Sequence, residues 1–229
     1  MNFGPVIDGL PLLLQGLAVT LVLTVSTLLF GLLIAVPLAV ARWRGPKWLS
    51  SLIWCFTFCV RGTPLLVQLF LVYYGSGQFR DELEAIGLWW FFREPWNCAL
   101  LTFTLSTAAY TTELLRGALM AVSNSQLEAG FAYGFTGLQK LRFIVLPQAF
   151  AYALPTYSND IIFHLQATSF ASLITIEDLA GVASVMANKT YLHYEFYLTA
   201  AAMYLVVVYS VLFALKRIEK SLRRFLNPG

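Results

Sequence analysis

The sequence predicts an all-α integral membrane protein with five transmembrane helices, its N-terminus outside and its C-terminus cytoplasmic. Three observations predict this. The 229 residues are 59% hydrophobic and only 12% charged, with a mean hydropathy of +0.70, whereas a soluble domain carries about 25% charged residues. The apolar residues come in runs of about 18 or more, the length a helix needs to cross roughly 30 Å of hydrocarbon, where backbone polar groups must pair within the helix. The Lys and Arg residues collect on one side of those runs, which marks the cytoplasmic face. Alternating segments of about ten residues, the signature of a β-barrel, do not occur.

The first span is expected over Leu12 to Ala41. No basic residue precedes its apolar run, so a cleaved signal peptide is not expected. The second span covers Leu49 to Tyr74, and "SSLIWCFTFCVRGTP" reads equally well as a helix lying in the interface before it turns inward. Pro64 lacks the N–H that would bond residue 60 and its ring crowds that carbonyl, so a helix bends or starts there. A bend beside a cavity frees carbonyls for a substrate; a plain helix start accounts for Pro64 almost as well. Cys55, Cys59 and Cys98 form no disulfide framework. Cys55 and Cys59 share a face at a spacing that can bind metal, but small apolar filler is the simpler reading, and no metal site is expected. The loop "IGLWWFFREPW" (Ile86 to Trp96) reads as an aromatic belt at headgroup level; a docking surface for an external partner is the alternative. The third span covers Cys98 to Met120, the fourth Phe150 to Leu173 and the last Phe196 to Leu215.

Charge then orients the spans. One side holds Arg42, Arg44, Lys47, Arg116, Lys140, Arg142, Lys216, Arg217, Lys220, Arg223 and Arg224 against two acids, Glu128 and Glu219. The other holds Arg80, Arg93 and Lys189 against Asp8, Asp81, Glu82, Glu84, Glu94, Glu177, Asp178 and Glu195. The first side is cytoplasmic. The basic tail reads as a stop signal beside anionic headgroups. The net charge of +3 needs no nucleic acid to explain it.

Between the third and fourth spans lies "EAGFAYGFTGLQKLRFIVLP" (Glu128 to Pro147), polar where its flanks are apolar. Ser125 precedes Glu128 by three residues, the spacing of a capping box. Leu127, Phe131, Phe135, Leu138 and Leu141 recur every three or four residues as one apolar stripe. Gly130, Gly134 and Gly137 interrupt it, each costing a helix about 1 kcal/mol against alanine. Two short helices joined near Gly134 to Gly137 and ending at Pro147 are expected. On spacing alone this is an amphipathic hairpin on the inner membrane surface.

The same residues resemble the cytoplasmic loop of permease subunits of ATP-binding-cassette importers. That loop runs E-A-A, three residues, G, nine residues, I, one residue, L-P. Here Glu128-Ala129-Gly130, Gly134, Ile144 and Leu146-Pro147 keep every spacing, with Gly130 in place of the second Ala. "RGTPLLVQLFLVYYG", "AYTTELLRGAL" and "LPTYSNDIIF" are similar to the polar amino acid branch. "EPWNCALLTFTLSTAAYTTE" and the five-span count resemble permeases for arginine, histidine, lysine and ornithine. The resemblance implies a type I importer permease fold, with residues 1–229 as one permease domain and 123–148 as its coupling loop, in the bacterial cytoplasmic membrane. It implies that Glu128, Ala129, Gly130, Phe131, Gly134, Phe135, Leu138, Ile144, Leu146 and Pro147 dock on an ATPase. The implied partners are two ATPase subunits that bind ATP and Mg, an external substrate-binding protein and a second permease. Many relatives read Lys-Asp-Thr-Ser where this chain has Gln166-Ala167-Thr168-Ser169, which favours a heterodimer over a homodimer.

Candidate cavity residues follow from charge in an apolar setting. Arg61, Glu113 and Asp160 lie within or beside spans, where each costs about 2.5–3.5 kcal/mol on insertion scales unless it faces protein or water. Arg61 paired with Glu113 or Asp160 would lock helices; either acid alone in a cavity would attract a cationic side chain. Thr63 and Pro64 mark the bend. Thr168 and Ser169 suit a substrate α-carboxylate, or else bond their own backbone, and His164 lies nearby. His193 and Lys189 belong to an outer loop. No G-x-x-x-x-G-K-[ST] phosphate loop occurs, and no nucleophile, metal or thiol constellation supports an enzyme. A stand-alone, ion-coupled amino acid carrier is the alternative, but five spans do not divide into equal inverted repeats.

Overall fold

The computed structural model describes residues 3–226, with the side chains of 222–226, Arg223 and Arg224 among them, outside the described set. The described chain is helical and contains no strand. Its helices are α1 (Gly4–Arg44), α2 (Lys47–Gly62), α3 (Leu65–Ser76), α4 (Arg80–Ala85), α5 (Trp89–Phe92) and α6 (Pro95–Met120). They continue with α7 (Asn124–Ala132), α8 (Gly137–Lys140), α9 (Leu146–Ala167), α10 (Leu179–Thr190) and α11 (His193–Leu226).

Two helices, α1 and α11, are long and apolar enough to cross a membrane by themselves. The 41 residues of α1 reach about 61 Å, well beyond the expected Leu12 to Ala41. Two further helix pairs pass the same test only together, and both are bent. The expected second span is not one helix: α2 and the run from Leu65 meet at 98° across Thr63-Pro64. The run from Gly137 to Ile174 meets α10 at 51°. α6 has the length of a span, 26 residues or about 39 Å, but threonines and Glu113 dilute its apolarity. It can carry them because it is the central helix, with buried residues on every side from Cys98 to Leu119.

α1 lies along α6 at close range. A Cβ on Gly31 would fall 2.5 Å from Thr107 Cγ2, and one on Gly16 would fall 2.9 Å from the Asp178 carbonyl oxygen. Small residues on α1 thus let backbones approach in a medium that offers no hydrophobic drive between helices. Thr20, Thr24 and Thr27 on that face return their hydroxyls to α1 carbonyls. Asp178 is fully buried and caps α10 through Gly181 N–H, while Tyr204 of α11 donates to its other oxygen at 3.3 Å.

The basic end of the bundle is closed by Ala35 and Ala39 of α1, Leu115 and Leu119 of α6, and Val145 and Ala149. Leu127 and Leu141 pack against this cluster, which seats the α7–α8 elbow beside the C-terminus of α1. α5 carries the loop aromatics: Trp90 is exposed and Arg80 lies over Trp89 at 5.5 Å. Lys189 is exposed near the end of α10, and His193 stacks on Tyr197.

Candidate functional site

Two sites emerge, an elbow at the basic end and a cavity within the bundle. The elbow is built by capping. α7 ends in a Schellman motif: Gly134 N–H bonds the Phe131 carbonyl at 2.9 Å and Phe135 N–H bonds that of Gly130 at 3.0 Å. Gly134 sits at φ +77°, a region that costs a side-chain-bearing residue roughly 1–2 kcal/mol. Two residues on, Thr136 starts α8. Its Oγ1 accepts from Gln139 N–H, and Gln139 Oε1 accepts from Thr136 N–H at 2.8 Å. The capping box is therefore Thr136–Gln139 and not Ser125–Glu128: α7 starts at Asn124 after Ser123, so Ser125 is already inside it.

The single apolar stripe is also corrected. Leu127 and Leu141 pack against the bundle, while Phe131 and Leu138, one turn along the same helical segments, lie beyond it and are 74% and 75% exposed. Phe135 is 38% exposed. Lys140 Nζ stands 5.2 Å from the Phe131 ring. Glu128 and Ala129 are exposed on the same helix, and Glu128 makes no ion pair or hydrogen bond among the described residues. Gly130 is buried, and a Cβ there would meet the tip of Ile144 at 2.6 Å. Alanine needs only a small shift of that flexible tip. No break occurs at Pro147: the helix runs from Gly137 into α9, with a π-turn over Leu141–Val145 ahead of the proline. Leu146 N–H bonds the Leu141 carbonyl there, a wider turn that accommodates the missing donor and the ring.

The cavity lies between α1, α6 and α9. Its smaller chamber, about 300 Å³, is walled by Leu28, Leu65 and Phe163, with Thr107, Tyr157 and His164 as polar members. A wider chamber of about 740 Å³ holds Arg61, Glu113, Arg116 and Tyr152. Tyr110 and Asp160 belong to both walls. His164 Nε2 is 2.7 Å from Thr27 Oγ1 and Nδ1 is 3.2 Å from Thr107 Oγ1. Thr27 already donates to the Leu23 carbonyl, so Nε2–H donates to Thr27 and Nδ1 accepts from Thr107, the pattern of a neutral imidazole. His164 thereby ties α9 to α1 and α6 at the chamber wall.

The other predicted cavity residues divide. Glu113 lines the wider chamber, but its oxygens are taken by Arg42 at 3.3 Å, Arg116 at 2.8 Å and Thr57 at 3.0 Å. Arg61 pairs with neither acid; its guanidinium lies 5.3 Å from the Tyr110 ring. Thr168 is buried and bonds the Leu165 carbonyl, and Ser169 bonds that of Gln166. Both serve the 3-10 turn that ends α9 and do not line the cavity. Thr63 donates to the Cys59 carbonyl. The carbonyl that Pro64 frees is not left for a substrate, because Gln68 Nε2 donates to Val60 O and Thr63 Oγ1, each at 2.7 Å. Replacing Gln68 by Met should lower stability by about 0.5–1.5 kcal/mol, the net worth of a hydrogen bond that is not deeply buried. Thermal unfolding in detergent measures it, and an unchanged midpoint would show that the bend holds itself. Cys98 is buried and donates to the Phe92 carbonyl, and Cys55 and Cys59 are exposed.

Thr27, Thr107, Tyr110, Tyr157 and Gln68 escaped sequence reading. Nothing in a threonine or tyrosine of an apolar helix tells which face it takes.

A helical bundle with a charge-lined interior cavity and an exposed elbow at its basic end defines a membrane permease. Residues 27–224 match the binding-protein-dependent transport system inner membrane component family, and the chain belongs to that family. It is 41% identical to the nopaline transport system permease protein NocM of Agrobacterium fabrum, over 100% of this chain and 93% of that one. It is 40% identical to the histidine/lysine/arginine/ornithine transport system permease protein HisM of Salmonella typhimurium, covering 90% and 87%. A crystal structure of an amino acid ABC transporter with histidines superposes with a TM-score of 0.83 at 28% identity, over 96% of this chain and 99% of that one. The fold is that of a type I importer permease, and the chain is an inner membrane protein.

Proposed function

We propose that this chain is the permease subunit of an ATP-driven importer of polar, cationic amino acids. The family and the relatives' transport of amino acids support the class. One observation carries the substrate preference: Asp160, a half-buried carboxylate without an ion pair, stands where the two chambers meet. A cationic side chain supplies the direct ion pair that Arg61, acting on Asp160 only from beyond 4 Å, does not.

On this reading α1, the bent α2–α3 pair, α6, the run from Gly137 through α9, and α11 are the five spans. The N-terminus lies outside, and the basic end, with the elbow, faces the cytoplasm. Residues 1–229 act as one permease domain, and residues 123–148 are its coupling segment. Phe131, Phe135, Leu138 and Glu128 present the face that meets an ATPase. Ala129 stands beside them, and Gly130, Gly134, Ile144, Leu146 and Pro147 hold the face in shape. Two ATPase subunits bind ATP and Mg, an external binding protein delivers substrate, and a second, non-identical permease completes the membrane pore. Nothing in the bundle favours a stand-alone carrier.

Asp160→Asn tests the substrate reading. Uptake of L-arginine by the reconstituted complex should fall about tenfold, the effect of losing ~1.4 kcal/mol of contact, while the ATPase still co-purifies. Undiminished arginine uptake would refute the assignment.

A further inference from the structure

The wider chamber is lined by two acids and two arginines, and their partners sort them. Glu113 and Arg116 bond each other at 2.8 Å, and Arg42 adds a second cation to Glu113. That trio is satisfied within itself. Asp160 and Arg61 remain. They share the chamber wall, yet no ion pair within 4 Å joins them to each other or to any described residue. The Arg61 guanidinium lies over the Tyr110 ring at 5.3 Å, and Tyr110 Oη reaches the Arg61 carbonyl at 3.5 Å. A cation–π contact occupies one side of a guanidinium and leaves its N–H donors free for a bidentate acceptor.

Two opposite charges in one cavity, interacting through space but not joined by a direct ion pair, complement a zwitterion. An amino acid brings an anion that Asp160 repels, and the hydroxyls expected to bind that anion, Thr168 and Ser169, are spent on their own backbone. We infer that Arg61 is the anchor for the substrate's α-carboxylate, held in place by Tyr110, with Asp160 taking a positive group of the same molecule. This rests on the importer reading above and adds the carboxylate half of recognition. The specificity it implies is for free amino acids over their esters.

The test is a chemical double-mutant cycle on the permease–ATPase complex in lipid nanodiscs, with direct binding of L-arginine, L-arginine methyl ester and L-citrulline. The unmodified complex should prefer the acid to the ester. Arg61→Gln should weaken arginine binding by about tenfold and bind acid and ester alike, with citrulline discrimination intact. Arg61→Lys should keep part of the acid preference, since charge survives but the fork does not. Acid-over-ester preference retained in Arg61→Gln overturns the inference. So does failure of both variants to assemble, which would make Arg61 a support of the α2–α3 bend. Loss of citrulline discrimination in Asp160→Asn reports on the substrate reading separately, because it leaves the acid–ester comparison untouched.

Discussion

Replacing Gly134 by arginine is expected to reduce ATPase co-purification to background while the permease still inserts at its normal level. Two costs combine. Gly134 holds φ +77° at the end of α7, and a residue with a side chain pays roughly 1–2 kcal/mol there. More consequential is what the turn positions. Its hydrogen bonds to Phe131 and Gly130 set the angle between α7 and α8, and that angle puts Phe131 and Leu138 on one outward face. A rotated elbow presents them in different directions, and a large cation lands in the middle of the face. Gly134→Asn is the graded control, because asparagine tolerates left-handed backbone better than other residues, and it should retain partial association. Glu128→Arg separates docking from folding, since the native carboxylate has no partner within the described chain to lose. Both variants pulling down the ATPase at wild-type yield would remove the docking role from the elbow.

Glu113→Ala is expected to destabilise the bundle by about 3 kcal/mol. Its carboxylate is 12% exposed and ties three helices at one point, through Arg42 of α1, Thr57 of α2 and Arg116 of its own α6. Truncation leaves two guanidiniums, 18% and 30% exposed, without their acid; breaking a buried pair from one side costs about 3–5 kcal/mol, and the partial exposure of Arg116 places the effect at the low end. The readout is thermal unfolding of the purified complex in detergent. Because Glu113's oxygens are already taken by Arg42, Thr57 and Arg116, substrate binding by the protein that does assemble should change little. A variant as stable as the parent, or one that has lost arginine binding while fully stable, would show that Glu113 serves the substrate and not the frame.

Much of this was legible beforehand. Apolar run lengths, the Lys/Arg asymmetry and the spacing from Glu128 to Pro147 are linear properties, and a membrane turns linear properties into architecture because every apolar run must be helical. The helical character, the existence of the elbow and the break at Pro64 followed directly. Reading failed where a side chain had a choice of partners. Ser125–Glu128 and Thr136–Gln139 both have capping spacing, and only the position at which α7 begins decides between them. Leu127 and Phe131 looked like one stripe, but only Leu127 reaches the bundle. The Val60 carbonyl looked free until Gln68 folded back across the bend.

The sequence by itself determined that this chain is a helical membrane protein with a helix break at Pro64 and a glycine-hinged segment of fixed spacing, because backbone hydrogen bonding and helix length are local constraints. The tertiary structure alone decided which charges are spent and which are free. Glu113 is satisfied by Arg42, seventy-one positions away, whereas Asp160 and Arg61 share a chamber wall without a direct ion pair to any described residue. Pairing depends on which helix faces meet, and those faces meet only where residues as small as Gly31 let α1 close on α6.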